Sequence, residues 1–234
     1  MLQLPQNWQQ WATSDKAELL ALLEARERAI ATNRLRHFAP YPKQVEFYAA
    51  GAVHRERLLQ AANQVGKSYA GAMEVAAHAT GRYPDWWPGH RFNRPINIWS
   101  GSDTGETTRD TVQTNLLGPP SDRDAWGTAA IPAAAIIESR MRQGVADAVD
   151  TLVVRHVSGG KSTIGFKSYD QGRQKWQGAK RDLIWLDEEC PMDIYKEALT
   201  RTNAVPDGRL MMTFTPLNGV SDVVLLFQDG DFGE

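Results

Sequence analysis

Two short stretches carry side chains whose types and spacing suggest chemistry. The first, LLQAANQVGKSYAGAME, runs from Leu58 to Glu74: an apolar run, a polar turn, Gly66-Lys67-Ser68, then an alanine-rich segment. A turn of this kind at a helix N-terminus holds phosphate with backbone amides, sets an amine against the β- and γ-phosphates and offers a hydroxyl to Mg2+. Gly66, Lys67 and Ser68 fill the last three places of the G-x-x-x-x-G-K-S/T pattern, while its first place holds Ala61. Alone, the stretch also reads as a helix start with a solvated lysine. The second, RDLIWLDEE, runs four apolar residues into the paired acids Asp187 and Glu188. A buried parallel strand ending in acids delivers them to the crevice where open α/β sheets bind ligands. There Asp187 suits the shell of a Mg2+ ion, and Glu188 suits a group that orients or deprotonates water. A solvated acidic strand end is the plain alternative, and Gly-Lys-Ser in the same chain weighs against it. Together the stretches predict a nucleotide site whose phosphate-binding segment is Ala62, Asn63, Gln64, Val65, Gly66, Lys67, Ser68 and Tyr69.

Two weaker signals accompany them. MMTFTP contains Thr213 and Thr215, which at the end of a buried strand can touch the γ-phosphate region or pass its loss to a neighbouring element. A β-branched strand stopped by proline explains them equally well. YPKQVEF carries Gln44, whose amide can pair with the donor and acceptor of an adenine edge, and Tyr41, which can pack on the ring. By itself, a surface glutamine is the simpler reading.

These groups need elements to position them. SDKAELLALLEARERAIA sets leucines at 19, 20, 22 and 23 against mixed charges, which predicts an amphipathic helix over 15–31, with Ser14 accepting a bond from a first-turn amide. Prolines at 40 and 42 bar helix until Lys43. Strands are expected at Leu58–Ala62, in PINIWSGS, in DLIWLDEE and in RLMMTFTP. Helices are expected over 67–80, within 104–117 and along MDIYKEALTRT, with a β-hairpin over 151–169 turning at SGGK. Strands alternating with helices imply an α/β fold with a mostly parallel central sheet flanked by helices, the hairpin added at one edge. The expected division is an N-terminal helical extension over 1–38 and a nucleotide-binding domain over 39–234.

Composition bounds the rest. A chain of 234 residues can bury one sizeable core. No apolar stretch is long enough to span a bilayer, and MLQLPQNWQQW lacks the features of a secretory signal. The single cysteine, Cys190, excludes an internal disulfide or a multi-cysteine metal site and suits a reducing cytoplasm. A net charge of −2 does not announce nucleic acid globally, so any DNA contact needs a local patch. Arg34, Arg36, Arg55, Arg57 and Lys161 are candidates for it, with a solvated face as the plain alternative. Trp86 and Trp87 of YPDWWPGH are candidates for presentation to a partner.

In this order, YPKQVEF, AANQVGKS, SYDQGRQKWQGAKRDLIWLDEECP, YKEALTRT and TFTPLNGVSDVV resemble the ATPase domain of a tailed-phage large terminase subunit, a motor that pumps DNA into procapsids. The likeness extends over residues 40–225. It implies an ASCE-type P-loop fold, Mg2+-dependent ATP hydrolysis and assembly as a ring. It also implies double-stranded DNA, the portal protein and the small terminase subunit as partners, met in the cytoplasm of a bacterial host at the procapsid portal vertex. Lys67 and Ser68 match the Walker A lysine and hydroxyl. Asp187 and Glu188 match the Walker B acid and the catalytic glutamate. Thr213 to Pro216 match the coupling motif, and Gln44 matches the adenine-sensing glutamine. Two departures stand out. Many members carry arginine where this chain has Asn63, and some carry a trans-acting arginine where it has Gln177. A charge-stabilising arginine is therefore expected elsewhere, Arg173 first and Arg201 second, each otherwise a surface ion pair. Nothing after Phe227 matches the acidic cluster of the family's nuclease domain, so DNA cleavage is not expected of this chain. A helicase-like translocase and a nucleotide-gated scaffold that does not hydrolyse are the alternative readings.

Overall fold

Apolar runs become strands wherever both of their faces are covered. The computed structural model describes residues 8–216 and 221–229. Its strands are β1 (Glu56–Gln60), β2 (Asn97–Ser102), β3 (Ile136–Met141), β4 (Val149–Arg155), β5 (Lys161–Ser168), β6 (Leu183–Asp187) and β7 (Arg209–Phe214). They form one seven-stranded sheet in the order β1-β7-β6-β2-β5-β4-β3. The first five of that order run parallel, and β4 and β3 continue antiparallel beyond β5. β7 thus stands between the strand that feeds the phosphate loop and the strand that ends in acids, the ASCE P-loop arrangement. The expected hairpin is β4–β5, but β3 extends it where no element was expected. IIESRM does not alternate cleanly, and its pairing with β4 is interrupted by two register shifts.

The helices are α1 (Thr13–Thr32), α2 (Arg34–His37), α3 (Pro42–Val53), α4 (Lys67–Thr80), α5 (Gly105–Thr107), α6 (Thr114–Leu117), α7 (Met192–Asn203) and α8 (Asp222–Asp229). Six π-helical residues, Thr108–Gln113, join α5 to α6 within the expected segment. Side chains of a strand alternate between faces. Trp185 and Met211 therefore meet Ala70, Met73 and Ala77 of α4 on one side, while Ile184, Leu186 and Met212 meet Tyr195 and Ala198 of α7 on the other. β6 is buried at every position, which is why it reads as an unbroken apolar run. Gly71 lets α4 close on it, since a Cβ there would lie 2.4 Å from the Trp185 ring.

Several expectations shift. β1 begins and ends two residues early, because its ladder pairs Glu56–Gln60 with Leu210–Phe214. Ala61 makes a last bond to the Phe214 carbonyl at 3.4 Å before the chain turns away. α3 starts on Pro42, whose fixed φ suits a first helical position. Ser14 does not cap α1: Ala12 stands at the cap, and the Ser14 hydroxyl donates to Asp15. α1 buries none of its residues, and Leu20 and Leu22 are 57% and 62% exposed. Position 38 is no packing boundary, because Leu35 is buried in the main core and Phe38 packs edge-on against Tyr69. Trp87 is core, 4.6 Å from the Tyr48 ring, and only Trp86 keeps an exposed edge. Arg55 and Arg57 are not free for DNA: Arg55 donates to the carbonyls of Thr202, Val205 and Gly208, and Arg57 is buried against Glu74. Residues 217–220 of the TFTPLNGVSDVV motif and 1–7 of the extension lie outside the described residues.

Candidate active site

β1 and β6 bring the two chemical stretches to one edge of the sheet, the C-terminal one. Residues 61–66 turn from β1 into α4, with left-handed φ of 61° at Gln64 and 83° at Gly66. Gly66 supplies the conformation that glycine adopts without strain. Ala61 has no positive φ, so the pattern's first glycine is not needed there. The first-turn amides of α4 have no acceptor inside the helix and open toward the loop.

Lys67 is 8% exposed. Its Nζ donates to the Ala62 carbonyl and to Thr215 Oγ1, both at 2.7 Å. Thr215 Oγ1 is also within bonding distance of the Ala61 carbonyl, at 3.0 Å, and of Asn63 Oδ1, at 2.7 Å. Its single proton serves one of these at a time. Lysine, threonine and asparagine thus close a polar ring over the loop.

Asp187 is fully buried. Its Oδ1 accepts from Thr213 Oγ1 at 2.6 Å, and Thr213 in turn accepts from Trp185 Nε1 at 2.7 Å. Oδ2 is buried with no hydrogen-bond partner among the described residues. Burial pushes the Asp187 pKa up to about 7, against the hydrogen bonds of Thr213 and Ser68 and the charge of Lys67, which pull it down. Glu188 takes a left-handed φ of 69°, an uncommon conformation for a residue with a Cβ. The turn is pinned from both sides. Its amide donates to the Thr213 carbonyl at 2.9 Å, and the Tyr169 hydroxyl reaches the Asp187 and Glu188 carbonyls at 2.9 and 3.2 Å. Burial and then the Asp103 charge raise the Glu188 pKa, while Lys67 lowers it. One amine therefore acts on both carboxylates, and the end of β7 links the groups, Thr213 bonding Asp187 and Thr215 bonding Lys67.

Among the described residues, no group of three or more His, Cys, Asp or Glu side chains makes a metal site by itself. Mg2+ does not need one, because it keeps several waters and takes phosphate oxygens beside one or two protein ligands. The Ser68 hydroxyl and the unpartnered Oδ2 of Asp187 fit that role.

Beside the loop lies a cavity of about 1160 Å3, walled by Ile30, Arg34, Phe38, Leu59 and Tyr69. The end of α1 and all of α2 thus belong to the site. Tyr41 stands on its rim, 66% exposed. Gln44 is buried, and both of its polar atoms are engaged: Oε1 accepts from the Tyr41 amide at 2.9 Å, and Nε2 donates to the Gly66 carbonyl at 3.0 Å. The geometry makes it a strut between α3 and the phosphate loop. Thr213 and Thr215 likewise divide, the first holding Asp187 and the second facing Lys67.

Arg173 and Arg201 do not join this group. Both pair with Glu197 of α7, at 3.5 and 3.0 Å, and the neighbouring Trp176 packs in the core on the side of the sheet away from α4. Asp103 and Tyr169 are the site residues that motif reading passed over. Each directly follows the end of a parallel strand, β2 or β5, the same signal that pointed to Asp187.

Comparison with known proteins adds a family. The model of the terminase large subunit, T4likevirus-type, N-terminal region, matches residues 58–231. The terminase large subunit of Salmonella phage P22 is 43% identical over 230 residues, which cover 91% of this chain and 46% of that protein. The chain thus spans about half the length of this curated relative. Two solved structures share the fold. The large terminase ATPase domain of Thermus phage P74-26 is 18% identical with a TM-score of 0.52, covering 78% of this chain and 66% of that one. The large terminase of bacteriophage HK97 is 14% identical with a TM-score of 0.50, covering 83% and 38%.

Proposed function

This chain belongs to the terminase large subunit family, and from that premise we propose that it is the Mg2+-dependent ATPase domain of a motor that translocates double-stranded viral DNA into a procapsid. What supports the reading is that Thr215 and Thr213, at the end of β7, bond Lys67 and Asp187 respectively, with Glu188 next in the chain. Amides of residues 62–68 and the positive end of α4 cradle the phosphates of ATP. Lys67 exchanges Ala62 and Thr215 for β- and γ-phosphate oxygens. Ser68 and Asp187 hold Mg2+, which when bound draws negative charge off those oxygens. Glu188, on its pinned turn, orients the attacking water and receives its proton. When Lys67 leaves Thr215, that hydroxyl loses its donor, so occupancy of the site changes the bonding at the end of β7. This is a physical route from nucleotide state to the segment that follows.

The test is Glu188→Gln, which keeps the size of the side chain and removes the base. Phosphate release should fall by roughly 10²–10⁴-fold while affinity for an ATP analogue is kept. Turnover at the parent rate removes the assigned role.

Arg34 walls the cavity beside the phosphate loop, and Arg173 is tied to Glu197. Arg173, paired with Glu197 on its own chain, is the first candidate for a charge-stabilising arginine supplied to a neighbouring copy in a ring. Arginine fingers supply roughly 10³–10⁵ in rate, so specific turnover should rise with protein concentration. Fast turnover that is flat on dilution rejects an arginine from a second copy. The same reading places the motor in the bacterial cytoplasm at the portal vertex, with the portal protein and the small terminase subunit as partners.

A further inference from the structure

The half of the sheet that β3, β4 and β5 build has one face on the α4 core and one face open. By register, Trp99, Gly165, Thr151 and Arg140 form a row across four strands that runs from the buried Trp99 to the exposed Arg140, and Arg155 lies opposite Lys161 on the same side. At its centre the Arg181 guanidinium sits 4.1 Å and the Lys167 ammonium 4.9 Å from the centre of the Trp99 ring. Both flank a cavity of about 180 Å3 that Asp150, Thr151 and Thr163 also line.

Asp150 lines the same cavity, where it accepts from Thr151 Oγ1 at 3.0 Å and forms no salt bridge with either cation. Neither Lys167 nor Arg181 makes a salt bridge among the described residues, and the acid beside Arg181, Asp182, is taken by Arg94 at 2.8 Å and the Asn97 amide at 2.7 Å. Burial lowers the Lys167 pKa, Asp150 opposes that, and Arg181, Lys175 and Arg142 lower it further, so like charges crowd here. Two cations stacked on one indole repel each other, and an anion seated between them removes that cost.

We propose that this open face is a contact surface for the phosphate backbone of duplex DNA, with Lys167 and Arg181 seating one phosphate above Trp99 and Arg155 and Lys161 engaging a second row. The inference rests on the motor reading above and adds a location to it. Lys167 lies six residue steps along β5 from Lys161, about 20 Å of strand, enough to reach across a major groove about 12 Å wide. The phosphate loop follows β1, with β7, β6 and β2 between it and β5, so the two anion sites are separate.

The experiment titrates mixed-sequence duplex DNA into this chain over a series of salt concentrations and measures ATP-analogue affinity in parallel. It compares Lys167→Glu/Arg181→Glu, the strand-end pair Arg155→Glu/Lys161→Glu, and Arg26→Glu/Arg28→Glu on α1 as a control of equal charge change. Each open-face pair should lose at least tenfold in DNA affinity, and the slope of log K against log salt should shrink by at least about 0.9, the value for one phosphate contact. The control should bind like the parent, and nucleotide affinity should hold in all variants. Arg155 and Lys161 are exposed at strand ends, so their pair keeps the test valid if the central pair does not fold. The proposal is overturned if the parent chain has no affinity for DNA, if the open-face pairs bind like the control, or if they change only self-association. A parent chain that binds DNA but no nucleotide would instead strike the ATPase reading.

Discussion

Glu74 and Asp187 are both carboxylates removed from water, 1% and 0% exposed, and they end in opposite states. Burial alone would raise both. Around Glu74 it is outweighed by Arg57, bonded to both carboxylate oxygens at 2.6 and 3.3 Å, and by His78 at 3.2 Å, which bring its pKa down to about 2. Asp187 has hydroxyl partners only and one orphan oxygen, and stands at about 7. Glu74 is therefore a closed ion pair that ties α4 to β1. Asp187 is an incomplete shell, which under the proposed function a cation completes. A buried acid with its cation built in supports the fold, whereas one whose cation is left out can bind.

Three experiments press on that contrast. The largest effect is expected from Glu74→Gln, which leaves the Arg57 charge buried without its partner. Stability should fall by about 3–5 kcal/mol, read from denaturant unfolding. A loss below about 1 kcal/mol would mean that the pair is not what holds α4 to β1. Asp187→Asn should do the reverse: nucleotide-free protein gains about 2–4 kcal/mol near neutral pH, while turnover drops at least about 10²-fold. If this variant is destabilised as Glu74→Gln is, the two sites do not differ in kind.

The pH dependence has opposite signs at the two acids. Glu74 has a folded pKa below its unfolded 4.5, so its contribution is complete above that value and lost as pH falls through about 2. Asp187 has a folded pKa above its unfolded 3.8, so its penalty grows as pH climbs from there to about 7 and is constant above. The stability gap between Asp187→Asn and parent should thus narrow by about 2 kcal/mol between pH 8 and pH 5.5, as measured by paired unfolding curves. A gap independent of pH would place the charge elsewhere. The smallest effect is that of Gln44→Ala. Removing the strut should raise KM for ATP up to about tenfold, near 1 kcal/mol, and weaken GTP in proportion. A change confined to ATP would support Gln44 as a reader of adenine.

Much of the site was legible in the chain because its signals are local. A strand running into Gly66-Lys67-Ser68 and one running into Asp187-Glu188 need only neighbours in sequence to make a loop and an acidic edge. Roles that depend on distant partners were not legible. Thr213 looked like a phosphate contact until β7 was seen beside β6, where its hydroxyl meets Asp187. Arg173 read as a charge-stabilising arginine or a surface ion pair, and α7 supplies the ion pair through Glu197. Arg57 looked like a surface cation, yet its strand pairs inside the sheet and faces α4. The leucines of α1 suggested a buried stripe, but no element covers them among the described residues.

The sequence by itself determined which elements exist and which side chains stand at their ends, since hydrophobic periodicity and glycine placement act over a few residues. Only the tertiary structure decided what each end group does. Strand order sets which groups meet and how much water is left between them. That choice made the Glu74 carboxylate a strong acid and left the Asp187 carboxylate half protonated near neutral pH, although side chains of one chemical type entered both places.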